Sequence, residues 1–74
     1  MEQETVAVKN GEITLDKLLK FSGIAATGGQ AFFLIEEGAV SVNGEKIHQK
    51  RKKVKAGDRV VVDEQVELLV VSEE

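Results

Sequence analysis

Lys46, His48, Lys50, Arg51, Lys52, Lys53 and Lys55 crowd basic side chains into positions 46–55 of the chain. Ammonium and guanidinium groups at this density build a local positive field, and phosphate is the anion that such a field recruits best. Because several are adjacent in sequence, they cannot all share one solvated strand face, and they suit an exposed arm. A second candidate is Thr27-Gly28-Gly29-Gln30. At a helix start the first amides are unpaired and the dipole is positive, and two glycines would let a phosphate approach the backbone closely. Lys17 and Lys20, on the exposed side of a preceding helix, extend the same surface. The plain alternatives are a solubilising loop for the basic run and a capped, tight helix-helix corner for the glycine pair.

What the residues do not offer is equally informative. With no Cys there is no disulfide framework, iron–sulfur cluster or thiolate zinc site. His48 is the only histidine and has no second imidazole to share a metal with, so it reads as part of the basic surface. No metal, cofactor or small-molecule substrate is expected. A chain of 74 residues buries a core near the lower limit of what folds without staples, which leaves few positions for a catalytic pocket. A binding module is the expectation, not an enzyme.

The formal net charge of -3 argues against nucleic acid until it is divided. Residues 43–59 carry Lys46, Lys50, Arg51, Lys52, Lys53, Lys55 and Arg59 against Glu45 and Asp58, a net of +5. Residues 60–74 carry only acids, Asp63, Glu64, Glu67, Glu73 and Glu74, and residues 1–16 are also acidic. That polarity would hold a polyanion on one face and repel it from the rest. No apolar run approaches the roughly 18 residues that span a bilayer, and the acidic start is unlike a signal peptide, so a cytoplasmic protein without a membrane partner is expected.

The elements that must position these residues follow from periodicity. Thr5-Val6-Ala7-Val8 alternates and predicts a first strand, about 4–8, closed by Asn10-Gly11. Thr14 is a good N-cap, Asp16 suits the first turn, Ile13 and Leu18 form a hydrophobic staple, and Leu15, Leu18 and Leu19 make a buried stripe, so helix one runs to about Phe21. Thr27 and Gln30 form a capping box for helix two over 28–37, with Gly38 as its left-handed stop. Phe32 and Phe33 diverge by about 100° on that helix, so one of them is expected at its edge. Val40 and Val42, the Asn43-Gly44 turn and Ile47 predict a hairpin. After the basic arm come a turn at Ala56-Gly57-Asp58, a strand over Arg59–Asp63 and a last strand over about 66–71. The expected class is α+β, a helical pair on a small, mostly antiparallel sheet, in a single domain covering 1–74.

The residues Leu15-Asp16-Lys17-Leu18-Leu19, Thr27 through Ala31, Leu34-Ile35, Gly38-Ala39-Val40-Ser41-Val42-Asn43-Gly44 and Val54 with Gly57-Asp58-Arg59-Val60 together resemble the S-four RNA-binding domain. That domain is named after a protein of the small ribosomal subunit and also occurs in pseudouridine synthases, tyrosyl-tRNA synthetases and a ribosome-associated heat-shock protein. The likeness covers about residues 13–63 and is closest to the small stand-alone branch of the family. It implies the two-helix alpha-L motif and an RNA face made of both helices and the arm after the hairpin. It implies structured RNA, ribosomal or transfer, as the partner, with the ribosome or one of its subunits as a setting, and recognition through phosphate and shape. The sequence departs from the family at Thr14 and Gly28-Gly29, where members often carry Arg and Ser-Arg, which shifts the expected weight of binding onto Lys50–Lys55. The competing expectation is a protein-interaction module whose basic arm docks an acidic surface. A DNA-reading helix-turn-helix is disfavoured because helix two carries Glu36 and Glu37 and almost no cation.

Overall fold

The computed structural model describes residues 2–49 and 51–73; Met1, Lys50 and Glu74 lie outside the described residues. In chain order the elements are β1 (Glu2–Val8), a 3-10 turn (Lys9–Gly11), β2 (Glu12–Thr14), α1 (Leu15–Phe21), α2 (Gly28–Glu36), β3 (Val40–Val42), β4 (Glu45–Lys46), β5 (Lys53–Lys55), β6 (Arg59–Val62) and β7 (Val66–Ser72). Five strands form one sheet in the order β1-β7-β6-β3-β4, antiparallel except for β1, which runs parallel to β7. β2 and β5 form a separate antiparallel ribbon. The class is α+β, with the helical pair on a mostly antiparallel sheet.

Alternation decides which face of the sheet is covered. Val6 and Val8, Val40 and Val42, Val60 and Val62, and Leu68 and Val70 point into one core, where they meet Leu15, Leu18 and Leu19 of α1 and Ala31 and Ile35 of α2. The residues between them on the strands, Thr5, Arg59 and Leu69 among them, lie on the open face. Val54 of β5 is fully buried in the same core, so the small ribbon is fastened to the domain through the one apolar residue in Lys53-Val54-Lys55.

Several boundaries differ from those read in the sequence. β1 starts at Glu2, because its pairing with β7 continues past the apolar alternation that marks the strand locally. The return strand of the hairpin stops at Lys46; Ile47 is buried beyond it, although its amide still donates to the Val40 carbonyl at 3.1 Å. β6 ends at Val62 and not at Asp63, since Asp63 and Glu64 take φ values of 54° and 56° and turn the chain into β7. α2 ends at Glu36, with Glu37 as C-cap and Gly38 left-handed at φ 76°, where the glycine stop was expected. Neither strand of the ribbon shows in the local sequence, β2 because its residues read as the start of helix one and β5 because a Lys-Val-Lys triplet reads as part of a charge run.

Candidate nucleic-acid interface

The basic arm is anchored where it re-enters the fold. β2 and β5 align Glu12 with Lys55, Ile13 with Val54 and Thr14 with Lys53, and the Leu15 amide donates to the Lys52 carbonyl at 2.8 Å. That last bond satisfies an amide of the first turn of α1 from outside the helix. Thr14 has the extended backbone of an N-cap, yet its side chain makes no capping bond. The arm's own backbone thus takes part of the role expected of Thr14, and the start of α1 is set directly beside Lys52 and Lys53.

A second tie comes from two turns far apart in sequence. Asn43 takes φ 53° and Gly44 φ 87°, the left-handed pair that a tight hairpin demands. The Asn43 side chain then reaches across to the other turn: its Nδ2 donates to Asp58 Oδ1 at 3.1 Å and its Oδ1 accepts from the Arg59 amide at 3.0 Å. Asp58 Oδ2 accepts from the Lys55 amide at 2.9 Å. Desolvation pushes the Asp58 carboxyl up, but the hydrogen bonds from the Lys55 amide and Asn43, with the charges of Lys55 and Lys52, outweigh it and hold the group below the usual 3.8. The hairpin tip, the Gly57-Asp58 turn and the end of the arm are therefore one clasp. Sequence reading treated Asn43 and Asp58 only as turn formers, since nothing local shows that they meet.

Between the clasp and the ribbon lies an open groove of about 520 Å³, lined by Val42, Asn43, Glu45, Ile47, Glu12, Asp58, Lys52, Lys53 and Lys55. Val54 points inward, so Lys53 and Lys55 are turned outward by strand alternation. Of the three carboxylates in the groove, Asp58 is held by the clasp, Glu12 lies 3.9 Å from Lys53, an exposed pair that adds little stability, and Glu45 is exposed on β4. Lys52 also borders a second hollow formed with Glu45, Lys46, Ile47, His48 and Gln49. Arg51 is exposed in the turn before β5, and Lys50 lies outside the described residues.

The remaining candidates fall at separate places. Thr27 caps α2, its Oγ1 accepting from the Gln30 amide at 3.2 Å, while Gln30 Oε1 accepts from the Ala26 amide at 2.6 Å. This is the expected capping box, closed one residue further back. A Cβ on Gly28 would meet nothing within 4 Å, and one on Gly29 only Thr27 Oγ1 at 4.0 Å, so internal packing does not require either glycine. The other end of α2 faces the arm: a Cβ on Gly38 would lie 3.3 Å from His48 Nε2 and 4.0 Å from Lys46 Cδ. The nine residues of α2, about 13 Å of helix, therefore lie between the Thr27 cap and the end that meets Lys46 and His48. Lys17 and Lys20 are exposed on α1 and line a shallow hollow with Ile13 and Phe21. Of the adjacent phenylalanines, Phe33 is the exposed one, at 61%, and Phe32 is half-buried. Phe21, the last residue of α1, is 65% exposed, and its place at a helix end gives no sign of this in the sequence.

The S4 domain family matches residues 6–71. The chain belongs to that family. S4 domains are, as a family, RNA-binding domains, and they also occur inside enzymes. Among curated proteins this S4 domain is 33% identical over 61 residues to a tyrosine–tRNA ligase of Colwellia psychrerythraea, covering 82% of the chain and 15% of the ligase. It is 36% identical over 50 residues to the tyrosine–tRNA ligase of Nitrosospira multiformis, covering 68% of the chain and 12% of the ligase. The chain thus spans about a seventh or less of these relatives. Among solved structures, a pseudouridylate synthase superposes with a TM-score of 0.64 at 25% identity, over 69% of this chain and 22% of that one. The 30S ribosomal protein S4e from Thermoplasma acidophilum superposes with a TM-score of 0.55 at 21% identity, over 73% and 29%, a likeness of fold. Among the described residues no group of three or more His, Cys, Asp or Glu side chains could hold a metal ion, and no helix is long and apolar enough to cross a membrane.

Proposed function

We propose that this S4 domain, with residues 1–74 acting as one unit, binds structured RNA without catalysing a reaction on it. Its basic rim contacts phosphates and reads the shape of the fold. The observation that carries the reading is the pairing of β5 with β2, which sets Lys52, Lys53 and Lys55 beside the start of the helix that bears Lys17 and Lys20. Cations on two elements then present one surface, and an A-form duplex, whose deep groove excludes side chains, offers phosphates and 2′-hydroxyls to such a surface. Arg51 extends the rim along the arm, and Lys50, which precedes it in sequence, adds a further cation to the proposed contact. Lys46 and His48 flank it at the far end of α2, and Thr27, Gly28, Gly29 and Gln30 form an outlying contact. Ribosomal or transfer RNA is the proposed class, supported by relatives whose names place them on tRNA or in the small ribosomal subunit.

Binding of the chain to a folded transfer RNA and to a ribosomal RNA hairpin, followed across a salt series, tests this. The expected log–log slope is about -3 to -5, as four to six neutralised phosphates require. Replacing Lys50, Arg51, Lys52 and Lys53 together with Ala is expected to remove most of the affinity while the fold survives. Undiminished binding in that variant would dismiss the proposed rim. Partners recovered from cells that persist after complete RNA digestion would favour an acidic protein as the ligand.

A further inference from the structure

The described surface carries two widely exposed aromatic rings, and their charged neighbours along their own helices differ in sign. Phe33 follows Gln30 and precedes Glu36 and Glu37 by one turn, so its face of α2 is acidic. Phe21 stands one turn after Lys17 and next to Lys20 at the end of α1. Phe21 borders a shallow, mostly apolar depression of about 420 Å³ lined by Ile13, Lys17, Lys20 and Phe21 alone. It also borders one of about 330 Å³ formed with Ala7, Val8, Lys9, Glu12, Ile13 and Glu73. Glu12 also lines the groove beside β5, and Ile13 is paired with Val54 of β5, so this apolar surface adjoins the proposed phosphate rim.

We infer that Phe21 is a stacking platform for an unpaired RNA base, with Lys17 and Lys20 holding the phosphates that flank it. The inference rests on the RNA-binding reading and adds a site to it. A bare aromatic ring beside ammonium groups matches a nucleotide, which presents a flat π-face and an anion a few ångströms apart. An acidic protein segment would satisfy the lysines but not the ring, and a purely apolar partner would leave both lysines to be desolvated without compensation. The consequence is a division of labour: the β5 rim binds paired RNA by its phosphates, and the end of α1 selects RNA in which an unpaired base lies next to the stem.

The chain contains no Trp and no Tyr, so Phe21→Trp creates a single indole at the proposed platform. Three probes suffice: an oligoriboadenylate of about ten nucleotides, a blunt, fully paired RNA duplex of similar length, and poly-L-glutamate. The indole is expected to be quenched by the oligoriboadenylate and far less by the duplex. Phe21→Ala is expected to weaken oligoriboadenylate binding about tenfold, as loss of one stacked base implies, leave duplex binding unchanged, and be rescued by Phe21→Trp. Phe33→Ala, an equally exposed ring in acidic surroundings, is expected to change neither. Because Phe21 is largely outside the core, its variants keep the fold, which their unfolding midpoints verify. If Phe21→Ala binds the oligoriboadenylate like the unaltered chain, the platform is overturned and RNA binding by the rim stands. Quenching by poly-L-glutamate equal to that by RNA overturns it in favour of an acidic protein. Failure of the unaltered chain to bind either RNA at low salt overturns both readings.

Discussion

The exit of the basic arm and the start of α2 carry the same promise in the sequence, a place where phosphate could meet backbone and cation, and the fold treats them in opposite ways. The arm's exit is tied down from three sides: the ladder to β2, the Lys52 carbonyl on the Leu15 amide, and the Asn43–Asp58 clasp under Lys55. The start of α2 is closed only on itself, through Thr27, Gln30 and Ala26. Charge alone therefore does not make a site. What distinguishes the arm is that long-range pairing fixes the direction of Lys53 and Lys55, whereas at Gly28 and Gly29 the backbone is open and no cation is held beside it by a described contact.

The sharpest break in this comparison should come from the clasp. Asn43→Ala removes a side chain that bonds both Asp58 and the Arg59 amide, and it leaves at φ 53° a residue that lacks the polar group by which Asn tolerates the left-handed region. Together these are expected to cost about 2–3 kcal/mol. Asn43→Gly keeps the backbone preference and should cost only about 1 kcal/mol, so urea unfolding of the two variants separates tether from turn. Val54→Ala, which hollows out the ribbon's fully buried contact with the core, is expected to cost about 2 kcal/mol and to weaken RNA binding as well, although no cation is touched. Thr27→Ala is expected to cost about 1 kcal/mol through the lost cap with a smaller effect on RNA binding. An affinity loss for Thr27→Ala as large as for Val54→Ala would reverse the ranking of the two regions.

The smallest effect concerns acid. The Asp58 carboxyl titrates below its ordinary 3.8 in the folded chain, so as pH falls the unfolded chain takes up the proton first. The stabilisation it gives is complete above the ordinary value and is lost as pH falls through the folded value. The difference in unfolding midpoint between the unaltered chain and Asp58→Asn is therefore expected to be constant near neutrality and to shrink below about pH 4. A difference that widened on acidification would contradict the clasp.

What could be read from the sequence was what neighbours decide. The stripe Leu15, Leu18, Leu19, the box Thr27–Gln30, the glycine stop at Gly38 and the Asn43-Gly44 turn are each contained within a few residues, and each has the role its local chemistry dictates. The parts that were not legible depend on partners far along the chain. β5 is three residues long and two of them are lysines, so only its alignment with Glu12–Thr14 makes it a strand. Asn43 and Asp58 are 15 positions apart and carry no pattern that links them. In the sequence Phe21 shows only as the end of helix one, because what marks it is its exposure and the hollows it borders, which are properties of the folded surface.

The position of the RNA face is the central claim, and amide shifts of the isotopically labelled chain, titrated with a ribosomal RNA hairpin at low salt, test it most directly. The largest perturbations are expected along Glu12–Thr14, around Lys17 and Lys20, and over Arg51–Lys55, fading as salt is raised. Perturbations centred instead on the open face of the sheet, around Thr5, Arg59 and Leu69, would contradict it.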